Sequence, residues 1–139
     1  MDGSERLQLT YSPMTAMLPR WSPDGTEIVY SVAQPGKPWK LFLISAQGER
    51  NEKLLPEEMN ELDATWSPDG TQIGFGRVGG SDSAIYMLNL KARQMSTLPN
   101  SNGLFSPRWS PDGQHLVAIS ADSSKLFLFD FKTQKWSRW

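Results

Sequence analysis

The sequence predicts an all-β fold built from three repeats of four strands, and two observations carry that reading. The pentapeptide Trp-Ser-Pro-Asp-Gly stands at residues 21–25, 66–70 and 109–113, at intervals of 45 and 43 residues. Three identical pentamers at near-equal spacing mark an internal repeat. The apolar segments between them are short, rich in β-branched and aromatic residues, and bounded by Gly, Pro, Asp and Ser, and none has a helical period.

Each repeat reads in chain order. A first strand runs into the tryptophan, with repeats beginning near residues 19, 64 and 107. Ser-Pro-Asp-Gly then reverses the chain as a type I turn. Pro presets φ near about −65° at the second position, Asp suits the third, and Gly supplies the positive φ that re-enters a strand. The motif residues are Trp21, Pro23, Asp24 and Gly25, then Trp66, Pro68, Asp69 and Gly70, then Trp109, Pro111, Asp112 and Gly113. Second strands follow at 28–30, 73–75 and 116–119, third strands at 41–44, 85–88 and 126–129, and fourth strands at 53–55, 94–98 and 135–139. Four strands in about 40 to 50 residues is the period of a β-propeller blade. Residues 1–139 therefore read as a single three-blade propeller unit.

The motif resembles the TolB-type propeller repeat, a relative of the WD repeat. That repeat is found in TolB, in propeller domains of prolyl-oligopeptidase-like enzymes and in sensor domains of CadC-like regulators. The resemblance covers essentially the whole chain and implies a six-bladed parent and an extracytoplasmic setting. Pro19-Arg20 and Pro107-Arg108 precede the tryptophan in repeats one and three, where repeat two has Ala64-Thr65.

Residues 6–10, Arg-Leu-Gln-Leu-Thr, match the fourth-strand position of a preceding blade, giving thirteen candidate strands where three blades need twelve. Three blades leave two apolar faces open, and repeat units do not bury their cores alone. Among multiples of three only six falls in the usual range of blades, so the expected assembly is half of a six-bladed propeller closed by homodimerisation.

At each junction of the dimer two segments compete for one outer-strand position, the partner's leading 6–10 and the chain's own trailing 135–139. Leu7 and Leu9 alternate with polar residues as a half-buried edge strand does, whereas Trp136 and Trp139 are three apart and cannot share one face of a regular strand. The leading segment is therefore expected to win. Candidate interface residues are Leu7, Leu9, Trp39, Trp136 and Trp139. The three tryptophans lack counterparts in the other repeats, which leaves interface anchor and local packing equally open.

Composition excludes several functions. Fourteen Lys and Arg against fifteen Asp and Glu give a net charge of −1, without the basic field that attracts nucleic acid. The absence of cysteine removes disulfides, thiolate metal sites and thiol nucleophiles. No apolar run approaches a membrane span of about 18 residues, and the polar start lacks a signal-peptide core.

Residues 74–79 fit the dinucleotide fingerprint G-x-G-x-x-G, but a strand rather than a helix follows, so Gly74 and Gly76 read as small residues for close blade packing. His115 is the single histidine and cannot build a histidine metal cluster. The motif aspartates recur one per blade, too far apart to converge on a metal. No cofactor and no catalytic residue is expected.

The channel mouth is expected from loops 14–18, 56–63 and 100–105 with 34–39, 79–83 and 121–124, whose Met, Glu, Asn and Phe suit a protein or peptide. The leading reading is a non-enzymatic scaffold or binding module that self-assembles. Its alternatives are an excised or engineered propeller fragment whose only function is assembly, and the propeller portion of a prolyl-oligopeptidase-like hydrolase lacking its catalytic domain.

Overall fold

A computed structural model describes residues 5–56 and 59–138. Twelve strands form three antiparallel sheets of four. Blade 1 holds β1 (Thr15–Trp21), β2 (Glu27–Ala33), β3 (Lys40–Ser45) and β4 (Asn51–Lys53), paired in that order. Blade 2 holds β5 (Glu61–Trp66), β6 (Gln72–Arg77), β7 (Ala84–Asn89) and β8 (Gln94–Thr97). Blade 3 holds β9 (Leu104–Trp109), β10 (His115–Ser120), β11 (Leu126–Asp130) and β12 (Lys135–Arg138). The described residues contain no helix.

The first strands begin about three or four residues earlier than the sequence suggests, so most of the expected loop 14–18 is strand. A bulge makes this possible. The pairing register shifts between Met17 and Arg20 in β1, between Leu62 and Thr65 in β5, and opposite Val117 to Ile119 in β9. Leu18, Asp63 and Ser106 sit in these bulges at φ of 53°, 57° and 52°. A bulge bends the strand and re-aims its side chains, and at the inner edge of each blade it turns the following residues toward the neighbouring blades.

Apolar residues alternate on β2 and β3 and on their counterparts, and both faces of each sheet are apolar. Val29, Leu41 and Leu43 on one face of blade 1 meet Trp66, Ile73, Phe75 and Leu88 of blade 2 in a first core. Ile85 and Met87 on the far face of blade 2 meet Leu116, Ala118 and Phe129 of blade 3 in a second. The sheet of blade 2 is thus covered on both sides. The outward face of blade 1 carries Tyr30, Val32 and Ile44, flanked by Ile28, Phe42, Leu9 and Met14. The outward face of blade 3 carries the cross-strand pairs Val117 with Leu128 and Ile119 with Leu126.

Charge also ties blades 1 and 2. Lys40 Nζ lies 2.5 Å from Glu61 Oε1, both groups are buried, and Glu61 Oε2 accepts the Leu41 N–H at 3.2 Å. At the next junction Ser101 Oγ accepts the equivalent Ile85 N–H at 3.0 Å.

In the single chain the trailing strand is regular through Arg138, where the spacing of the terminal tryptophans favours displacement or irregular packing. Residues 6–10 form no strand. The trailing segment takes the outer position of blade 3, with Trp136 opposite Phe129 and Arg138 opposite Phe127. The local hairpin forms because its turn is cheap to close and well capped: Asp130 Oδ1 accepts the N–H groups of Lys132 and Thr133, and Asp130 O accepts that of Gln134. The indole of Trp136 packs on Phe129 and donates from Nε1 to Pro99 O at 2.7 Å. Trp139 lies outside the described residues.

Two substitutions test this packing by urea denaturation. Phe75→Ala empties a fully buried site between blades 1 and 2 and is expected to cost about 3 to 5 kcal/mol. Lys40→Met breaks a buried ion pair and is expected to cost about 3 to 5 kcal/mol. Losses under 1 kcal/mol would show that these junctions do not hold the blades together.

Candidate functional site

The three motif turns share one geometry. Ser22 O accepts the Gly25 N–H at 2.9 Å, as a type I turn requires, with Gly25 at φ 74°. Asp24 Oδ1 accepts from Ser22 Oγ, from the Thr26 N–H and from Thr26 Oγ1 at 2.7, 3.0 and 2.8 Å. Asp69 repeats the same three bonds, and Asp112 makes those to Ser110 and the Gln114 N–H. One carboxylate oxygen of each aspartate, Oδ1, is committed to the turn of its own blade. Among the described residues no group of three or more His, Asp or Glu is placed to hold a metal.

Donated hydrogen bonds hold each turn carboxyl below the usual carboxylate range, the serine of its own turn contributing most. The same device appears unannounced between β10 and β11. There Asp122 accepts from Ser120, from Ser124 and from the Ser124 N–H, and its carboxyl is held far below the usual range, with Ser120 the largest cause.

The motif tryptophans do not behave alike. Trp66 is buried at the first junction, and its Nε1 donates to Arg20 O at 3.1 Å. Trp109 stacks on Phe131 with centroids 5.0 Å apart and donates to Gly113 O. Trp21 is 60% exposed against 8% for Trp66, because the described residues place no blade against that side of blade 1. The third strands differ in the same way: Leu126 is 48% exposed where its counterparts Leu41 and Ile85 are at 0%.

Other singled-out residues fall into place. Gly74 and Gly76 lie inside β6, and a Cβ on Gly74 would press on Met87 Sδ at 3.2 Å and Thr65 Cγ2 at 3.3 Å. Gly76 faces Phe105 of blade 3, with Phe105 Cβ 3.5 Å from where its own Cβ would stand. His115 opens β10, half-buried, with Nε2 3.9 Å from Asp130 Oδ2. Leu7 is exposed, while Leu9 packs on the outward face of blade 1. Trp39 is half-buried and stitches two mouth loops together. Its N–H donates to Asn60 Oδ1 at 2.8 Å, and its carbonyl accepts the Glu61 N–H at 3.0 Å. Ser83 O likewise accepts the Gly103 N–H at the second junction.

The inner edge of the fan holds a cluster that the sequence analysis did not identify as a site. Asp63 Oδ1 accepts from Arg20 Nη2 at 3.4 Å and from Arg108 Nη2 at 2.7 Å, and its Oδ2 accepts from Ser106 Oγ. Residues of all three blades therefore meet at one carboxylate. The available signal was the Pro-Arg pair before the tryptophan of repeats one and three, with an aspartate three residues before the tryptophan of the repeat between them.

No family model matches the chain. The Tol-Pal system protein TolB of Syntrophus aciditrophicus is 34% identical over 55 residues, 40% of this chain and 12% of that protein. The crystal structure of TolB from Acinetobacter baumannii superposes at TM-score 0.83 with 23% identity, over 99% of this chain and 35% of that one. A TolB from Agrobacterium tumefaciens gives 0.73 and 19%, over 85% and 43%. The fold is also shared by enzymes such as an acylaminoacyl peptidase of Pyrococcus horikoshii, at TM-score 0.67 and 12% identity over 92% of this chain and 25% of that one.

Stability should follow the turn carboxyls. A group whose folded pKa lies below its unfolded value of 3.8 stabilises the fold above that value, and the contribution is lost as pH falls through it. The urea midpoint should be flat above about pH 5 and fall below about pH 4. The triple variant Asp24→Asn, Asp69→Asn, Asp112→Asn should be weaker at neutral pH and flatter in acid, and an unchanged acid slope would remove these turns as its cause.

In motif, strand order and superposition, the chain has the fold of three blades of a β-propeller of the kind seen in TolB.

Proposed function

We propose that the chain is a non-enzymatic propeller module whose two outward faces bind a second copy, completing a six-bladed ring. One observation carries this: the residues that close the internal junctions recur at the two ends, where Trp21 and Leu126 are exposed. The outward face of blade 3 presents Val117, Leu126 and Leu128 where blade 1 uses Val29, Leu41 and Leu43 against blade 2. The outward face of blade 1 presents exposed Trp21 and half-buried Ile28 where blade 2 answers with Trp66 and Ile73, while Tyr30 and Ile44, the counterparts of Phe75 and Leu88, are already buried with Leu9 and Met14 packed against them.

Blade 3 of one copy therefore fits blade 1 of another by the packing used twice within the chain, and two such seams related by a two-fold axis close the ring. Leu9 supports the fit. It stands twelve residues before Trp21, as Leu54 stands before Trp66, and both pack at the edge of a junction face. On this reading Leu9 and Trp21 are seam residues, and the completed mouth offers loops for a protein or peptide.

Light scattering over micromolar concentrations should give about 31 kDa, twice the 15.6 kDa chain. The melting temperature should rise with concentration, and Trp21→Asp and Leu126→Asp should each give a folded monomer. A wild-type monomer throughout that range sinks the proposal. Hydrolase assays should be blank. Saturable dinucleotide binding lost in Gly76→Val would overturn the non-enzymatic, nucleotide-free reading.

A further inference from the structure

The strongest unassigned feature is the charge cluster at the inner edge. Arg20 and Arg108 occupy the same repeat position, one residue before the motif tryptophan, in blades 1 and 3. The bulge holds both side chains in one pose: each Nη1 donates to the carbonyl of the preceding proline, Pro19 at 2.8 Å and Pro107 at 2.7 Å. Each Nη2 turns to the same atom, Asp63 Oδ1. A guanidinium has five N–H donors, so most of each fork is left over. The two side chains are 33% and 35% exposed, while Asp63 lies behind them, nearly buried and anchored by Ser106.

We infer that this pair of arginine forks is a binding site for a carboxylate, carried by an acidic peptide segment or by a small dicarboxylate entering from the inner edge. Three features point to this chemistry. Two guanidiniums against one carboxylate leave the rung with a charge of +1. Both forks reach one oxygen atom, so they stand close enough for one further planar oxyanion to bridge them, and arginine forks match carboxylates in bidentate geometry. Asp63 itself shows what the forks accept.

The site lies within one chain and does not depend on ring closure. If the ring closes, two such rungs share the channel.

The test is titration of the whole chain, followed by Arg Nε resonances and calorimetry, with mass measured in the same samples. The probes are succinate, an N-acetylated hexaglutamate amide and a hexaglutamine control. Saturable binding of succinate or hexaglutamate is expected, at one equivalent per chain, with the control silent. Arg20→Gln and Arg108→Gln should each weaken binding at least tenfold. Asp63→Asn keeps the shape and removes the competing internal carboxylate, and it should tighten binding severalfold, a sign that a merely structural role would not give. Equal affinity for both carboxylate probes assigns the site to small acids, and tighter hexaglutamate binding assigns it to a peptide. Shifts unaffected by the arginine substitutions, or weaker binding in folded Asp63→Asn, overturn the inference. Because mass is read alongside, a monomer that binds carboxylate separates this result from ring assembly.

Discussion

Everything in this fold depends on covering the second face of each sheet. A four-stranded antiparallel sheet with one apolar face can stand against a single neighbour, but here β2, β3, β6, β7, β10 and β11 are apolar on both faces. Each such sheet needs a neighbour on either side. Within the chain that demand is met for blade 2 and met in part for blades 1 and 3, with Leu9 and Met14 packed over Tyr30, Val32 and Ile44 on blade 1, and the exposures of Trp21 and Leu126 mark what is left open. Hydrophobic burial is proportional to the area removed from water, so the same side chain stabilises strongly at an internal junction and hardly at all at an open end.

The polar contacts are subordinate to that stacking but decide its geometry. The Ser-Pro-Asp-Gly turns fix where β2, β6 and β10 begin, because the turn Ser accepts the N–H groups of Gly25 and Glu27 and the turn Asp that of Thr26, as in the other two repeats. Bulges at Leu18, Asp63 and Ser106 bend the inner strands so that three blades converge. Lys40 with Glu61 at one junction and Ser101 at the other accept or offset polar groups that the stacking buries. A repeat therefore specifies a shape through backbone bonds and leaves the affinity between blades to apolar area.

Equivalent positions also diverge where repetition is not required. Arg, Thr and Arg precede the three motif tryptophans, and Leu, Asp and Ser fill the three bulges. The turns and central strands admit little variation because each must make the same bonds. Inner-edge side chains meet one another rather than a repeated apolar partner, with Asp63 and Thr65 buried and Arg20 and Arg108 about one-third exposed, so they can differ from blade to blade. That is where a scaffold of this kind can carry a binding function.

The amino-acid sequence by itself determined the class, the blade count and the turns. Those features are local, and the pentamer, the short β-rich segments and the positive-φ glycines state them within a few residues of where they act. It also led correctly to Gly74 and Gly76 as strand residues, since a fingerprint without a following helix has no phosphate site. Tertiary structure decided what depends on distant partners. Side-chain alternation favours a partner's residues 6–10 as the outer strand, and within one chain the hairpin through Asp130 pairs residues 135–138 at that position, because a short loop costs little to close. Nor could spacing reveal that Arg20, Asp63 and Arg108, each more than forty residues from the next, share one oxygen atom: their meeting is set by three bulges and two blade junctions acting together, and none of those is written in any single repeat.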